Sequence, residues 1–183
     1  MDERLGALLA KVDALGLRER TLVIFSSDNG PFLSYGEHAG RAAPLREGKL
    51  TTFEGGMRTP CLVRWPGRVP AGRVSDAIFS TLDLLPTFGR LAGFSPPADR
   101  VIDGVDQTSF LLAPDGLSNR KFHYYWLSQT FSAMRCGEYK MVLSAVDDAP
   151  TDAHGIGGFT GTLDRFAYPR LYNLYLDPKE QHN

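Results

Sequence analysis

The sequence predicts an α/β fold whose sheet gives way, after a proline-rich boundary, to a small antiparallel-sheet subdomain at the carboxy terminus. Three observations predict it: an amphipathic helix that leads into a short apolar run, a second strand-and-helix pair behind it, and a change of texture after residue 95 to short aromatic runs joined by tight turns. Residues 1–95 read as the α/β part and residues 96–183 as a small α+β subdomain.

Leu5, Leu8, Leu9, Val12 and Leu15 recur at helical spacing, and Gly16 ends that helix. Thr21-Leu22-Val23-Ile24-Phe25 is apolar and partly β-branched, and reads as a strand buried inside a parallel sheet. Ser26-Ser27-Asp28-Asn29-Gly30-Pro31 stops it with turn residues. The glycine-rich stretch from Pro31 to Gly56 is long for a structureless loop, and such loops are usually functional or disordered. Cys61 to Trp65 reads as a second strand closed by Pro66-Gly67, and Ser80 to Leu91 as a helix with Pro86 near its first turn and Gly93 past its end. Ser95-Pro96-Pro97-Ala98-Asp99 marks the boundary. Beyond it, Phe122 to Leu127, Phe131 to Cys136 and Tyr139 to Leu143 read as strands, with Gly137-Glu138 as a hairpin turn and Leu171 to Tyr175 as a further strand. Asp147 to Gly161 reads as a loop.

Twenty Lys and Arg face 21 Asp and Glu among 183 residues, a net charge of −1. No basic run is interleaved with aromatics, so no nucleic-acid partner is expected. No apolar stretch reaches bilayer length, so no membrane partner is expected. Met1 is followed at once by Asp2, Glu3 and Arg4, without the apolar core of a signal peptide. Cys61 and Cys136 are too few for a disulfide framework, lack zinc spacing, and read as small apolar strand residues.

The chemistry-bearing candidates lie between the first two strands. Asp28 and Asn29 come directly after a strand, where open α/β sheets place ligands, and offer the hard oxygens that suit Ca²⁺ or Mg²⁺. Asp-Asn-Gly is equally a good turn, and the local pattern leaves both readings open. Lys49, in a glycine-rich loop, could set a point charge against an anion, although most lysines, like Arg46 and Arg58 here, are simply solvated. His38 falls between Asp28 and Lys49 and could face the same site. His123 reads as structural, His154 as a loop residue that could approach a substrate but with nothing local to support it, and His182 as without a role.

Thr21 to Pro31 resembles the metal-binding strand end of the type I sulfatases. Gly48-Lys49-Leu50-Thr51-Thr52-Phe53-Glu54-Gly55-Gly56-Met57-Arg58-Thr59-Pro60 resembles their second signature. Leu82-Asp83-Leu84-Leu85-Pro86-Thr87, Ile102-Asp103-Gly104-Val105, and Leu171-Tyr172-Asn173-Leu174 with Asp177-Pro178-Lys179-Glu180 are similar to later family segments, in the family's order. The branch resembled is that of arylsulfatase A and N-acetylgalactosamine-6-sulfatase.

The resemblance implies an alkaline-phosphatase-like α/β sandwich and hydrolysis of a sulfate ester, on a small molecule or a sulfated glycan. It implies a divalent cation, usually Ca²⁺, with Asp28 and Asn29 among its ligands. Lys49 would act as the catalytic and substrate-binding cation, with His38 as a further substrate contact. It also implies an extracytoplasmic setting. The family's nucleophile is a formylglycine made from Cys or Ser in a Cys/Ser-x-Pro/Ala-x-Arg motif. No cysteine or serine here fits, nor does the early Asp-Asp metal pair have a counterpart. The chain is therefore expected to be the carboxy-terminal part of such an enzyme, with its nucleophile on an upstream segment. Two other readings stand beside it: a phosphate or phosphonate monoester hydrolase of the same superfamily, which the Gly48 to Pro60 pattern disfavours, and a catalytically dead binding or assembly module.

Overall fold

A computed structural model describes residues 1–146 and 161–182. Its contacts divide the chain into two interleaved compact units: residues 1–26 with 61–120, and residues 27–60 with 121–183.

The first unit opens with helix α1 (Asp2–Ala14), which ends where Gly16 turns left-handed at φ 69°. Its sequence-predicted apolar face is not covered among the described residues: Leu8 and Leu15 are both more than half exposed. Arg64 Nη2 ties the helix to strand β2 through Asp13, 3.0 Å away. Strands β1 (Val23–Ser26) and β2 (Cys61–Arg64) pair antiparallel, Val23 opposite Arg64 and Ser26 opposite Cys61. The expectation that β1 sits within a parallel sheet is thus corrected for the described residues. A short β-branched run carries no information on the direction of its neighbour. Both cysteines do lie in strands, but exposed rather than packed.

Helix α3 (Leu84–Ala92) begins four residues after the expected Ser80, behind a 3-10 turn over Thr81–Asp83. Ser80 and Asp83 form a capping box ahead of it, and Gly93 closes it in the left-handed conformation. Asp83 is fully buried and accepts from Ser80 N at 3.0 Å, Val105 N at 2.9 Å and Arg120 Nε at 3.0 Å. Burial opposes its ionisation, but Arg120 and the two amides prevail and hold its carboxyl below the ordinary range. The segments around Asp83 and Val105 therefore belong together physically. A Cβ on Gly104 would stand 2.1 Å from Leu82 O, so only glycine allows that approach. Short helix α4 (Thr108–Leu112) completes this unit.

The second unit holds a four-stranded antiparallel meander: β3 (Phe122–Leu127), β4 (Thr130–Cys136), β5 (Tyr139–Val146) and β6 (Leu163–Asn173), in that order. Gly137 takes φ 56° in the β4–β5 turn. Strand β6 starts eight residues before Leu171 and ends at Asn173, not Tyr175. Its register against β5 slips between Val142 and Ser144, so Pro169 falls where the ladder is interrupted and no amide is missed. On β5 the period of two turns Lys140, Val142 and Ser144 inward, all buried, while Tyr139 is exposed. Phe53, Tyr125, Ala133, Val142, Ala145, Tyr172 and Leu174 form the core of this unit. Burying each large apolar side chain contributes about 1.5–3 kcal/mol. The expected loop from Asp147 to Gly161, and His154 within it, fall almost wholly outside the described residues.

Candidate active site

The segment 27–60 belongs to the second unit and carries every candidate that the sequence singles out for chemistry. Two backbone hydrogen bonds fold it back on itself. Gly30 N donates to Gly56 O at 2.8 Å, and Lys49 N donates to Pro31 O at 2.9 Å. The turn after β1 and the loop bearing Lys49 are therefore laid side by side. The packing is too close for side chains: a Cβ on Gly30 would stand 1.8 Å from Gly55 O, and one on Gly48 would stand 2.3 Å from Pro31 O. Glycine is needed here for backbone-on-backbone approach, not for flexibility.

Asp28 is exposed and Asn29 half-buried. Ser27 Oγ lies 3.5 Å from Asp28 Oδ1, a long contact that leaves the carboxylate available, and Thr59 Oγ1 donates to Ser27 O at 3.1 Å. Lys49 is half-buried, with Nζ 5.7 Å from the centroid of the Phe32 ring, within cation–π range. Its neighbours are strained: Glu47 and Leu50 hold φ of 59° and 73° without being glycine. Each such residue costs on the order of 1–3 kcal/mol, and such outliers collect at functional sites. His38 ends a 3-10 segment (Leu33–His38) and is exposed. Among the described residues no hydrogen bond or ion pair ties it to Asp28, Asn29 or Lys49.

As a cation site, Asp28 and Asn29 offer a carboxylate and an amide oxygen. These are hard donors that fit part of a Ca²⁺ shell of six to eight oxygens, though not the whole of one. Among the described residues no group of three or more His, Cys, Asp or Glu is gathered in a metal-binding arrangement.

Behind the loop lies a feature that sequence reasoning missed. Glu54 opens short helix α2 (Glu54–Met57) and is buried. Its Oε1 accepts from Tyr125 Oη at 2.6 Å and Lys140 Nζ at 3.2 Å, and its Oε2 accepts from Arg135 Nη1 at 3.2 Å. Lys140 Nζ also donates to Thr52 O at 2.6 Å and stands 2.7 Å from Glu180 Oε1. Two cations thus meet two carboxylates on strands β4 and β5, the α2 loop and the last turn. Burial pushes the Glu54 carboxyl up, but Lys140, Tyr125 and Arg135 outweigh it and leave it below its ordinary value. For Glu180 burial wins over Lys140, and its carboxyl is raised. Burial and the Glu54 charge raise the Tyr125 phenol well above its ordinary value, so it remains a donor. Arg46 is not the solvated arginine its sequence suggests. Its Nη1 donates to Glu180 O at 2.8 Å, and its guanidinium stacks 4.1 Å over the Phe53 ring. The only sequence signals for this cluster were Glu54, in the middle of the Gly48 to Pro60 segment, and Glu180, at the end of the Asp177 to Glu180 segment.

Residues 1–94 match a family model described as Sulfatase, and residues 132–183 match an AslA C-terminal domain model. The chain is 45% identical over 141 residues to N-acetylgalactosamine-6-sulfatase of Canis lupus familiaris, covering 76% of this chain and 27% of that protein. It is 37% identical to arylsulfatase A of Homo sapiens over 100% of this chain and 37% of the relative. Among solved structures, a PsFucS1 sulfatase from Pseudoalteromonas sp. superposes with a TM-score of 0.92 at 36% identity, covering 100% of this chain and 36% of that one. Ps i-CgsB, in complex with k-i-k-neocarrahexaose, superposes at 0.75 with 29% identity, over 100% of this chain and 36% of its own. The chain thus spans about a third of the length of the relatives it matches.

Proposed function

The chain belongs to the sulfatase family, and from that premise we propose that it is the carboxy-terminal part of a sulfuric ester hydrolase, supplying one wall of the active site. The observation that carries this reading is the pair of backbone hydrogen bonds that bring the Asp28-Asn29 turn and the Lys49 loop together. Both segments face a reaction in which an S–O bond breaks and an alcohol departs with a proton.

Lys49 supplies a compact point charge against the sulfate oxygens and the leaving oxygen, where negative charge grows in the transition state. The strained backbone on either side and the Phe32 ring limit where its ammonium can stand. Asp28 and Asn29 supply oxygen ligands to a divalent cation, Ca²⁺ by the hardness of its donors, whose bound charge would stabilise the sulfate and the attacking group. His38, exposed at the end of the Leu33–His38 segment, is a candidate contact to the alcohol portion of the substrate. The nucleophile is supplied from outside these 183 residues, since no Cys or Ser here lies in a Cys/Ser-x-Pro/Ala-x-Arg sequence. The substrate class is a sulfate ester, on a sugar hydroxyl or an aryl alcohol. The relatives named for N-acetylgalactosamine 6-sulfate and for aryl sulfates support that range.

The gene's whole product should turn over an aryl sulfate or a sulfated monosaccharide, with phosphate monoesters at least ~100-fold slower. The 183-residue chain alone should not. Preference for the phosphate ester, or turnover by the purified 183-residue chain, would overturn the proposal.

A further inference from the structure

The Lys49 loop is held at both ends by one residue far along the chain. Glu180 accepts from Arg46 Nη1 through its main-chain carbonyl at 2.8 Å, and from Glu54 N through its Oε2 at 2.7 Å. Arg46 and Glu54 are the two ends of the stretch that contains Lys49, and Gly55 N closes onto Arg46 O at 2.8 Å between them. Lys140, 2.7 Å from the other Glu180 oxygen, reaches the same stretch through Thr52 O. Glu180 is fully buried. It holds a φ of 52°, sparsely populated for any residue but glycine. The turn that imposes this conformation is fixed by Asp177. Its carbonyl accepts from Glu180 N at 3.1 Å, and its Oδ2 accepts from Gln181 N at 2.7 Å and His182 N at 2.8 Å.

A charge that must be desolvated and a strained backbone are poor ways to gain stability. Burial raises the Glu180 carboxyl even with Lys140 beside it. What this arrangement does achieve is geometric: the backbone bond and the carboxylate bond both end on the loop that carries Lys49.

We propose that Glu180 is a positioning residue for the sulfatase reaction, closing the Arg46–Glu54 segment from below and so fixing where the Lys49 ammonium stands. The proposal rests on the reading of Lys49 given above. A displacement of about 1 Å at a reacting group can cost 10²-fold in rate, so a loosened floor is felt in turnover rather than in binding.

The test uses the gene's whole product and the variants Glu180→Gln, Lys49→Ala and their combination, well below the melting transition. Glu180→Gln should lower kcat for an aryl sulfate about 10- to 100-fold with KM changed less than ~3-fold. In the Lys49→Ala background the same substitution should change kcat by less than ~2-fold, because its effect runs through a side chain already removed. Amide exchange should speed up at least ~10-fold over residues 47–56 and stay unchanged over β3 to β5. Glu180→Asp keeps the charge facing Lys140 but is a methylene short of Glu54 N. It should reproduce the kcat defect with less loss of stability, and it replaces Glu180→Gln if that variant does not fold.

The proposal fails if kcat stays within ~2-fold of wild type, if the losses multiply in the Lys49→Ala background, or if exchange rises equally across the sheet. It also fails if neither Glu180 variant folds, which would make the residue purely structural. If instead Lys49→Ala turns over like wild type, or wild type hydrolyses no sulfate ester, the reading of the site falls. The exchange pattern alone then decides whether Glu180 clamps the loop.

Discussion

Replacing Lys140 by methionine isolates the electrostatics of the cluster, because the two side chains are similar in size and only one is charged. Lys140 is fully buried, 2.7 Å from one carboxylate and 3.2 Å from the other, with a third bond of 2.6 Å to Thr52 O. Without it Arg135 still pairs with Glu54, and the buried Glu180 carboxylate is left without its counterion. Breaking a buried pair in this way costs about 3–5 kcal/mol. A cooperative unit of 150–250 residues loses roughly 2–4 °C per kcal/mol, so the transition should fall by about 6–20 °C at pH 7 by calorimetry. Adding Glu180→Gln to Lys140→Met restores the balance of Arg135 with Glu54 and should recover at least ~1 kcal/mol, read as the coupling in a double-mutant cycle.

The pH dependence has a definite sign. The Glu54 carboxyl lies below its ordinary value of 4.5, so its contribution is present above pH 4.5 and is lost as pH falls through the folded value. The Glu180 carboxyl is raised, so its contribution is present below pH 4.5 and is lost as pH rises through its folded value. Lys140 pulls both down. Removing it raises both, and the gap between variant and wild type should narrow from pH 7 towards pH 5 as the orphaned carboxyl takes up a proton. A transition within ~3 °C of wild type at pH 7, or a gap that widens on acidification, would show that Lys140 does not neutralise these two groups.

In the whole enzyme Lys49→Ala should cut turnover about 10²–10³-fold, roughly 3–4 kcal/mol, with the melting temperature nearly unchanged; a loss under ~3-fold removes Lys49 from the site. Lys49→Arg should restore activity only partly, since a planar fork differs from a point charge in size and direction. Asp28→Ala should weaken cation affinity and be partly rescued by excess Ca²⁺. A defect insensitive to added cation would speak against Asp28 as a ligand. Gly30→Ala should destabilise the segment 27–60, because its Cβ would overlap Gly55 O, and faster proteolysis within those residues is the measurement.

Much of this architecture was legible because it is written locally. Pro86 near the first turn and Gly93 past the end mark a helix, and Gly137 a hairpin, each through a property of one or two residues. Asp28, Asn29 and Lys49 were marked less by their turn and glycine-rich surroundings, which leave plain turn and solvated-lysine readings open, than by the family resemblance of the segments that carry them. The partners of Lys140 were not legible. On β5, alternation offers two faces, and an apolar reading favours Met141 and Leu143 as the inner one. The structure buries Lys140, Val142 and Ser144 instead, because Glu54 and Glu180 arrive from other parts of the chain to meet the charge. A buried ion has no local signature, since what makes it tolerable is a countercharge distant in sequence. Strand β6 began earlier than expected because Asp164, Arg165 and Pro169 break its alternation, and Pro169 sits in the slipped register. The direction in which β1 pairs was equally beyond the sequence, since Val23 to Phe25 suits either kind of neighbour.

The clamp also has a timetable. Glu54 N and the Glu180 carboxylate that accepts from it are 126 residues apart. At a synthesis rate of 5–20 residues per second, the Lys49 loop is made about 6–25 s before its floor. Over that interval the nascent pocket acquires Arg135 and Lys140 against Glu54 alone and carries a surplus positive charge that cannot be sealed from water. The loop stays open to chaperones and proteases until the Asp177–Glu180 turn arrives, so that turn acts as the latch on a site laid down 126 residues earlier.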